Sequence, residues 1–221
     1  GIIGPVRLGF GNVVAAGCIV RHDYPGDNQL IFEKAPSNTV KPFSPATYPH
    51  LERILGNNIL YLANLKALEA WYTQVRKPFL ETREYGLLLY AGVMEQLSSA
   101  RKERLKRLKA MAKKAIAASE KDPQVTCVQG RKELYEHIGH IEEIFSAKAS
   151  EESEKTDRLR DMFLKDLESI TGKVKTNYIE TIQALPDEIS SKGVMWLDGI
   201  VRALGEKVSR TVPALGLLKT F

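Results

Sequence analysis

Leu8-Gly9-Phe10-Gly11-Asn12-Val13-Val14-Ala15-Ala16-Gly17-Cys18-Ile19-Val20 sets the start of this 221-residue chain apart from the rest. With Ile2 ahead of it, its aliphatics recur every six positions: Ile2, Leu8, Val14 and Val20. Leu8 and Val14 are each followed by a tiny residue, Gly9 and Ala15. Four positions after an aliphatic stands a side chain of modest size: Val6, Asn12 and Cys18. This period belongs to solenoids in which each hexapeptide supplies one short strand and one corner. The aliphatic points inward and stacks on its equivalent in the next layer, and the tiny residue lets the backbone turn tightly. An ordinary Gly/Val-rich hairpin or an extended arm is the competing reading. The block amounts to about one coil, and roughly three repeats are needed to bury the apolar face. The chain opens on Gly1 rather than Met. The expectation is therefore a C-terminal piece of a larger protein, with earlier coils upstream.

Beyond residue 24 the pattern changes. Tyr24-Pro25-Gly26-Asp27-Asn28 reads as a turn, since Pro and Gly supply the dihedrals and Asp and Asn the local hydrogen bonds. Leu30 to Glu33 reads as a short strand. Ala35 to Pro49 holds Pro36, Pro42, Pro45 and Pro49, so residues 25–49 are read as a Pro-rich connector. From His50 the spacing becomes helical. Ile54, Tyr61, Leu65, Leu68, Tyr72, Val75 and Phe79 fall on one face of a first helix that begins near Pro49, with Pro78 ending or kinking it. Leu87, Tyr90, Met94, Leu97, Leu105, Leu108 and Met111 mark the buried stripe of a second, from about Leu80 to Ser119. A loop at Asp122-Pro123 leads to a third helix, Gly130 to Ala147, with Leu134, Ile138, Ile141 and Phe145 inward. Ser146 to Ser153 reads as a loop or a helical continuation. A fourth helix carries a near-heptad seam of Leu159, Phe163, Leu167, Ile170, Val174, Tyr178, Ile182 and Leu185, and Pro186 interrupts it. A fifth, closed by Pro213, uses Leu197, Ile200, Val201, Leu204 and Val208, and an apolar tail of Leu215, Leu217, Leu218 and Phe221 follows. Such stripes must face each other or another subunit, which predicts an antiparallel bundle over residues 50–221.

The net charge of +5, from 32 basic and 27 acidic residues, describes a mixed surface and argues against a nucleic-acid specialist. Two cysteines, Cys18 and Cys127, give no disulfide framework, and a reducing cytoplasm is the expected setting. No run spans a bilayer, so no membrane partner is expected. The start shows neither a basic n-region nor an apolar h-region, so no secretory leader is expected among these residues, though a fragment could have lost one.

The run Leu8 to Val20 resembles the closing coil of the left-handed β-helix in hexapeptide-repeat acyltransferases and in sugar-nucleotide pyrophosphorylases. Residues 62–72, Leu62-Ala63-Asn64-Leu65-Lys66-Ala67-Leu68-Glu69-Ala70-Trp71-Tyr72, are similar to helical tails of bacterial proteins related to UDP-N-acetylglucosamine pyrophosphorylase. The helical spacing predicts a mainly α fold of about five helices, and the resemblance implies one left-handed β-helix coil ahead of them at residues 1–24. It also implies a structural, oligomerising role, possible trimers, and a catalytic domain upstream in the same protein. Mg²⁺ is implied for that parent only, and no cofactor is expected for this chain. Glycine-rich nucleotide loops, nucleophile elbows and zinc cysteine pairs are absent from the sequence.

Four sets of residues carry candidate chemistry. By the same resemblance, acyltransferases use a coil histidine as general base, which makes His22 the candidate, with Asp23 beside it to orient the imidazole. A solvent-exposed loop histidine is the plainer reading. Gly9, Gly11, Ala16 and Gly17 could let an acyl-coenzyme A approach the backbone; tight corners explain them equally. Arg101, Lys102, Arg104, Lys106, Arg107 and Lys109, continuing to Lys113 and Lys114, form a cationic run for phosphates, an anionic surface or an acidic partner. Alternatively they are a solvated face paired with acidic helices such as Glu151-Glu152-Ser153-Glu154. His137 and His140 lie near Glu133, Glu136 and Glu143. A carboxylate bundle site needs Glu-x-x-His on two helices, but Leu134 and His137 occupy the required glutamate places, so no metal is expected. Three functions are thus in play: assembly region of a nucleotidyltransferase, acyltransferase fragment, and polyanion-binding module.

Overall fold

The computed structural model describes residues 1–33, 48, 50–121, 127–147, 154–171 and 177–217. Most of the connector, the Asp122-Pro123 loop, Glu151 to Ser153, Val174 and the last tail residues lie outside them, as does Pro49. The chain divides into two compact units, Gly1–Ser44 and Pro45–Phe221.

In the first unit, β1 (Val13–Val14) pairs in parallel with β2 (Leu30–Ile31). Parallel bridges Ile2–Val20 and Leu8–Tyr24 extend the pairing to two further sides. Partners lie 18, 16 and 17 residues apart along the chain. The backbone therefore lies in two superposed layers, joined by bonds such as Gly9 N to Tyr24 O at 2.9 Å and Ala15 N to Ile31 O at 3.0 Å. Corner stacks over corner: Gly11 (φ +70°) and Asn28 (φ 54°) are both left-handed, and a Cβ on Gly11 would lie 2.3 Å from Asn28 Oδ1. Asn12 ties the layers from within, donating to Gly26 O at 2.8 Å and accepting from Gln29 N at 2.7 Å. Asp23 and Asp27 accept from the backbone amides of Arg7 and Phe10 in the layer above. Cys18, Val20 and Ile31 are buried, as an inward Cys18 requires, whereas Ile2 and Leu8 are 58% and 36% exposed. Those two were expected inward; Val20 and Tyr24 cover them on one side only. The ordered pairing also runs past residue 24, because β2 falls in the expected connector.

The second unit is helical: α1 (Leu51–Trp71), α2 (Lys77–Leu80), α3 (Gly86–Lys121), α4 (Val128–Ser146), α5 (Glu154–Thr171), α6 (Tyr178–Gln183) and α7 (Asp187–Thr211). Antiparallel neighbours are read from their cross-links. Glu69 meets Arg101 while Thr73 meets Tyr90, for α1 with α3. Ala115 O accepts from Arg131 while Lys109 pairs with Glu142, for α3 with α4. Asp166 pairs with Lys192 while Gly199 abuts Thr156, for α5 with α7. Helix α7 also packs on α1 and α4. Its Gly193 admits the Phe163 ring, which would lie 2.9 Å from any Cβ there. The core centres on Trp196, whose ring lies tilted against those of Trp71 and Phe163 at centroid distances of 6.5 and 6.2 Å.

Several expectations shift. The buried face of α1 is Leu51, Leu55, Ile59, Leu62, Ala63 and Ala67, whereas Tyr61 and Leu68 are exposed. The helix is apolar on more than one side, so spacing alone did not single out the packed face. Pro78 does not end the helix. A π-helical turn at Tyr72–Arg76 precedes it, with Lys77 N–H reaching back to Tyr72 O, and the true break is at residues 81–85. Leu87 is exposed rather than buried, and the helix that carries it begins only at Gly86, whose buried backbone packs against Leu80. The fourth helix is not continuous: Asn177 is extended and caps a new helix through Oδ1 and Glu180 N. Ile170 is exposed. Pro186 caps α7, and Pro213 opens a short 3₁₀ turn to Leu215.

Candidate functional site

In the first unit the polar cluster centres on Glu33, two residues beyond β2. Its Oε1 accepts from Tyr24 Oη at 2.9 Å and Arg21 N at 3.2 Å, and lies 3.1 Å from His22 Nδ1. Desolvation pushes the Glu33 carboxyl up, but the hydrogen bonds from Arg21, Tyr24 and His22 outweigh it and hold the group below its ordinary value. Tyr24 is raised, first by that hydrogen bond to Glu33 and then by desolvation. The carboxylate orienting His22 is thus Glu33, not Asp23, whose Oδ1 is occupied by Arg7 N. Nδ1 is the His22 ring nitrogen that faces the Glu33 carboxylate. The His22 side chain is 77% exposed. Layer stacking brings this partnership about, so local spacing gave no sign of Glu33.

The small residues divide by cause. A Cβ on Gly9 would sit 2.3 Å from Gly26 O, so layer contact demands glycine there. Gly11 and Gly17 adopt positive φ at corners. Ala16 and Gly17 are exposed at the turn after β1. These positions are explained by the turns and stacking they make.

The basic run of α3 splits three ways. Arg101 forks onto Glu69, which also holds the buried Lys66 at 3.0 Å, and Lys66 in turn donates to Ala147 O at the end of α4. Arg104 bonds Asn58 Oδ1 and lies over the Tyr61 ring at 4.6 Å. Arg107 pairs with Glu103 along the helix, and Lys109 with Glu142 of α4. Lys102, Lys106, Lys113 and Lys114 remain exposed. The acidic partners come from α1, α3 and α4; Glu154 pairs with Arg158 of its own helix.

Among the described residues no group of three or more His, Cys, Asp or Glu is placed to hold a metal ion. His140 meets Glu143 of its own helix turn. Among them too, no helix is long and apolar enough to cross a membrane.

Two features escaped the sequence. Arg131 is buried, donating to Ala115 O and Tyr48 O; burial pulls its guanidinium below the ordinary value. A cleft of about 650 Å³ opens between α1, α6 and α7, walled by Leu60, Leu68, Trp71, Leu185 and Leu197, with Phe163 of α5 at its base. Helical period announces neither, since each depends on which elements meet.

No protein family matches the chain, and comparison with curated proteins and with solved structures likewise returns no match.

Proposed function

We propose that the first unit is the closing part of a left-handed β-helix and that the helical unit is an assembly and positioning module, in the setting of a sugar-nucleotide enzyme. On this reading the chain carries no nucleotidyl-transfer site. The observation that carries the first part is the parallel pairing of residues 16 to 18 positions apart on three sides. Three hexapeptides make one turn of such a helix, and a turn later each side meets itself in parallel. Supporting it further, Ile2 and Leu8 offer apolar side chains to another layer. The sugar-nucleotide setting rests on the resemblance of the residues alone. Solution mass tests the assembly role: the chain should run as a multimer, and a monomer at every concentration refutes it. A nucleoside triphosphate, a sugar phosphate and Mg²⁺ should give no turnover with this chain; turnover would place the site here after all.

One observation favours a second reading, an acyltransferase using His22. The imidazole is anchored at 3.1 Å by a carboxylate, an arrangement suited to a general base. Acyl-coenzyme A turnover abolished by His22→Ala and reduced by Glu33→Gln would establish it, and an inert chain would remove it.

A further inference from the structure

The cleft between α1, α6 and α7 has an apolar body and a cationic neighbour at one end. Leu68, Trp71, Leu185, Val194 and Leu197 line it, with Phe163 at its base. Its volume of about 650 Å³ falls within the roughly 300–1,000 Å³ of small-molecule sites. From Leu60 to Trp71 the α1 wall runs for about 16 Å. Asp198 is the one charged residue among those lining it, and Arg202 already holds it at 2.7 Å.

At the Trp71 end the chemistry changes. Trp71 Nε1 donates to Tyr178 Oη at 2.9 Å, and the Arg76 guanidinium lies over the Tyr178 ring, 3.9 Å from its centroid. Tyr72 approaches the same guanidinium at 5.6 Å. Arg76 therefore stands one tyrosine ring away from the cleft wall. Among the described residues no carboxylate pairs with it and no acceptor meets its N–H groups, and its Nε is buried without a partner. A guanidinium stacked on rings keeps its in-plane N–H groups free, and an oxyanion fits them in pairs. The Tyr178 hydroxyl accepts from Trp71 and has no acceptor of its own among the described residues, so it can donate to the same oxyanion. Arg76 closes the π-helical turn, a distortion often found at functional sites.

We propose that this cleft binds an anionic amphiphile: a single apolar chain lying between α1 and α7, with its oxyanion, carboxylate or phosphate, on Arg76 and Tyr178. The proposal is independent of the assembly reading. A neutral chain would leave Arg76 unpaired, and a small anion would leave the apolar walls in water. A ligand with both parts answers both.

Trp71 and Trp196 are the chain's two tryptophans and Trp71 lies on the wall, so tryptophan fluorescence reads occupancy. The whole chain is titrated with dodecanoate, dodecyl phosphate, dodecanol and acetate, each below micelle-forming concentration. Dodecanoate or dodecyl phosphate should give a saturable change, and the tighter of the two identifies the oxyanion. Dodecanol should bind at least about ten-fold more weakly, and acetate should give no change. Arg76→Gln should weaken the anionic ligands about ten-fold and leave dodecanol unchanged, and Arg76→Lys should recover part of that loss. Val194→Glu, at an exposed position of the wall, should weaken every chain with unchanged helical circular dichroism. No saturable change overturns the proposal, as does equal affinity for dodecanoate and dodecanol in both wild type and Arg76→Gln. A fluorescence change on concentrating the protein alone, with a rise in mass, overturns it too and gives the cleft to a second copy.

Discussion

The two units solve the same problem with opposite means. The helical unit holds together through side chains: Trp196, Phe163, Leu134, Ile141 and Phe145 are fully or nearly fully buried. The first unit buries only Cys18, Val20 and Ile31 among its described apolar side chains. Backbone pairing between layers, the amide of Asn12 and the carboxylates of Asp23, Asp27 and Glu33 do the rest. A bundle tolerates polar changes on its surface and suffers from cavities. A stacked-layer structure suffers where an added atom meets the next layer, as a Cβ would at Gly9 and Gly11. The same contrast explains why glycine recurs in the first unit at corners, while in α7 it recurs where a neighbour's side chain lies close, as at Gly193 and Gly199.

The largest expected effect tests the side-chain half of this contrast. Trp196→Ala should cost about 3–5 kcal/mol of stability, because it empties the centre of the aromatic cluster. Thermal unfolding followed at 222 nm reads it, and amide signals of residues 1–33 should stay in place. If those signals collapse as well, the two units are not independent.

Next in size, Gly9→Val should disrupt layer pairing without touching the bundle. The added Cβ meets Gly26 O, which backbone pairing holds in position. Loss of hydrogen-exchange protection at Ile3, Gly9 and Val13, with helical content retained, is the expected result. Retained protection would mean that the layers are not tightly stacked.

Removing Glu69 comes third. Lys66 and Arg101 both converge on it, and Lys66 is buried, so Glu69→Ala should cost about 2 kcal/mol by chemical denaturation. Glu69→Ala combined with Lys66→Met should recover part of that loss. A loss no larger than that of an exposed pair such as Asp198–Arg202, about 0.3–0.5 kcal/mol, would show the triad to be incidental.

The smallest effect is a pH response confined to the first unit. Glu33 is held below its ordinary carboxylate value, so its stabilising contribution is present above that value and is lost as pH falls through the depressed one. Tyr24 is raised, so its contribution is present below the ordinary phenol value and is lost as pH rises through the higher one. Amide shifts of Arg21 and Tyr24 should report both limbs. Glu33→Gln should abolish the acid limb, and an unchanged acid limb would assign it to other carboxylates.

The legibility of the chain follows the same division. Helix existence was readable from apolar spacing, and Leu134, Ile141, Phe145, Phe163, Leu167, Ile200, Leu204 and Val208 are buried where the period puts them. Helix faces were readable only where one face was apolar. In α1 the apolar residues surround much of the helix, so the stripe through Tyr61 and Leu68 was as regular as the one that packs. The π turn before Pro78 was illegible, because proline signals a missing donor but not how the backbone absorbs it. In the candidate site, His22 was visible as a residue type, whereas Glu33, eleven positions away, became its partner only through the layer register. The basic run was visible as charge, and its division among Glu69, Asn58, Glu103 and Glu142 was not.

By itself the sequence determined that residues 50–221 are mainly helical and where the tight corners of the first unit fall, but not the breaks at residues 81–85 and Asn177. Helical content and corners depend on local dihedrals and on periodicities of six and of three to four, which each segment carries within itself. Tertiary structure alone decided which apolar face of α1 was buried, which cations were spent inside the bundle, and which carboxylate met His22. These are contacts between segments far apart in the chain, and their energies exist only once the segments have met.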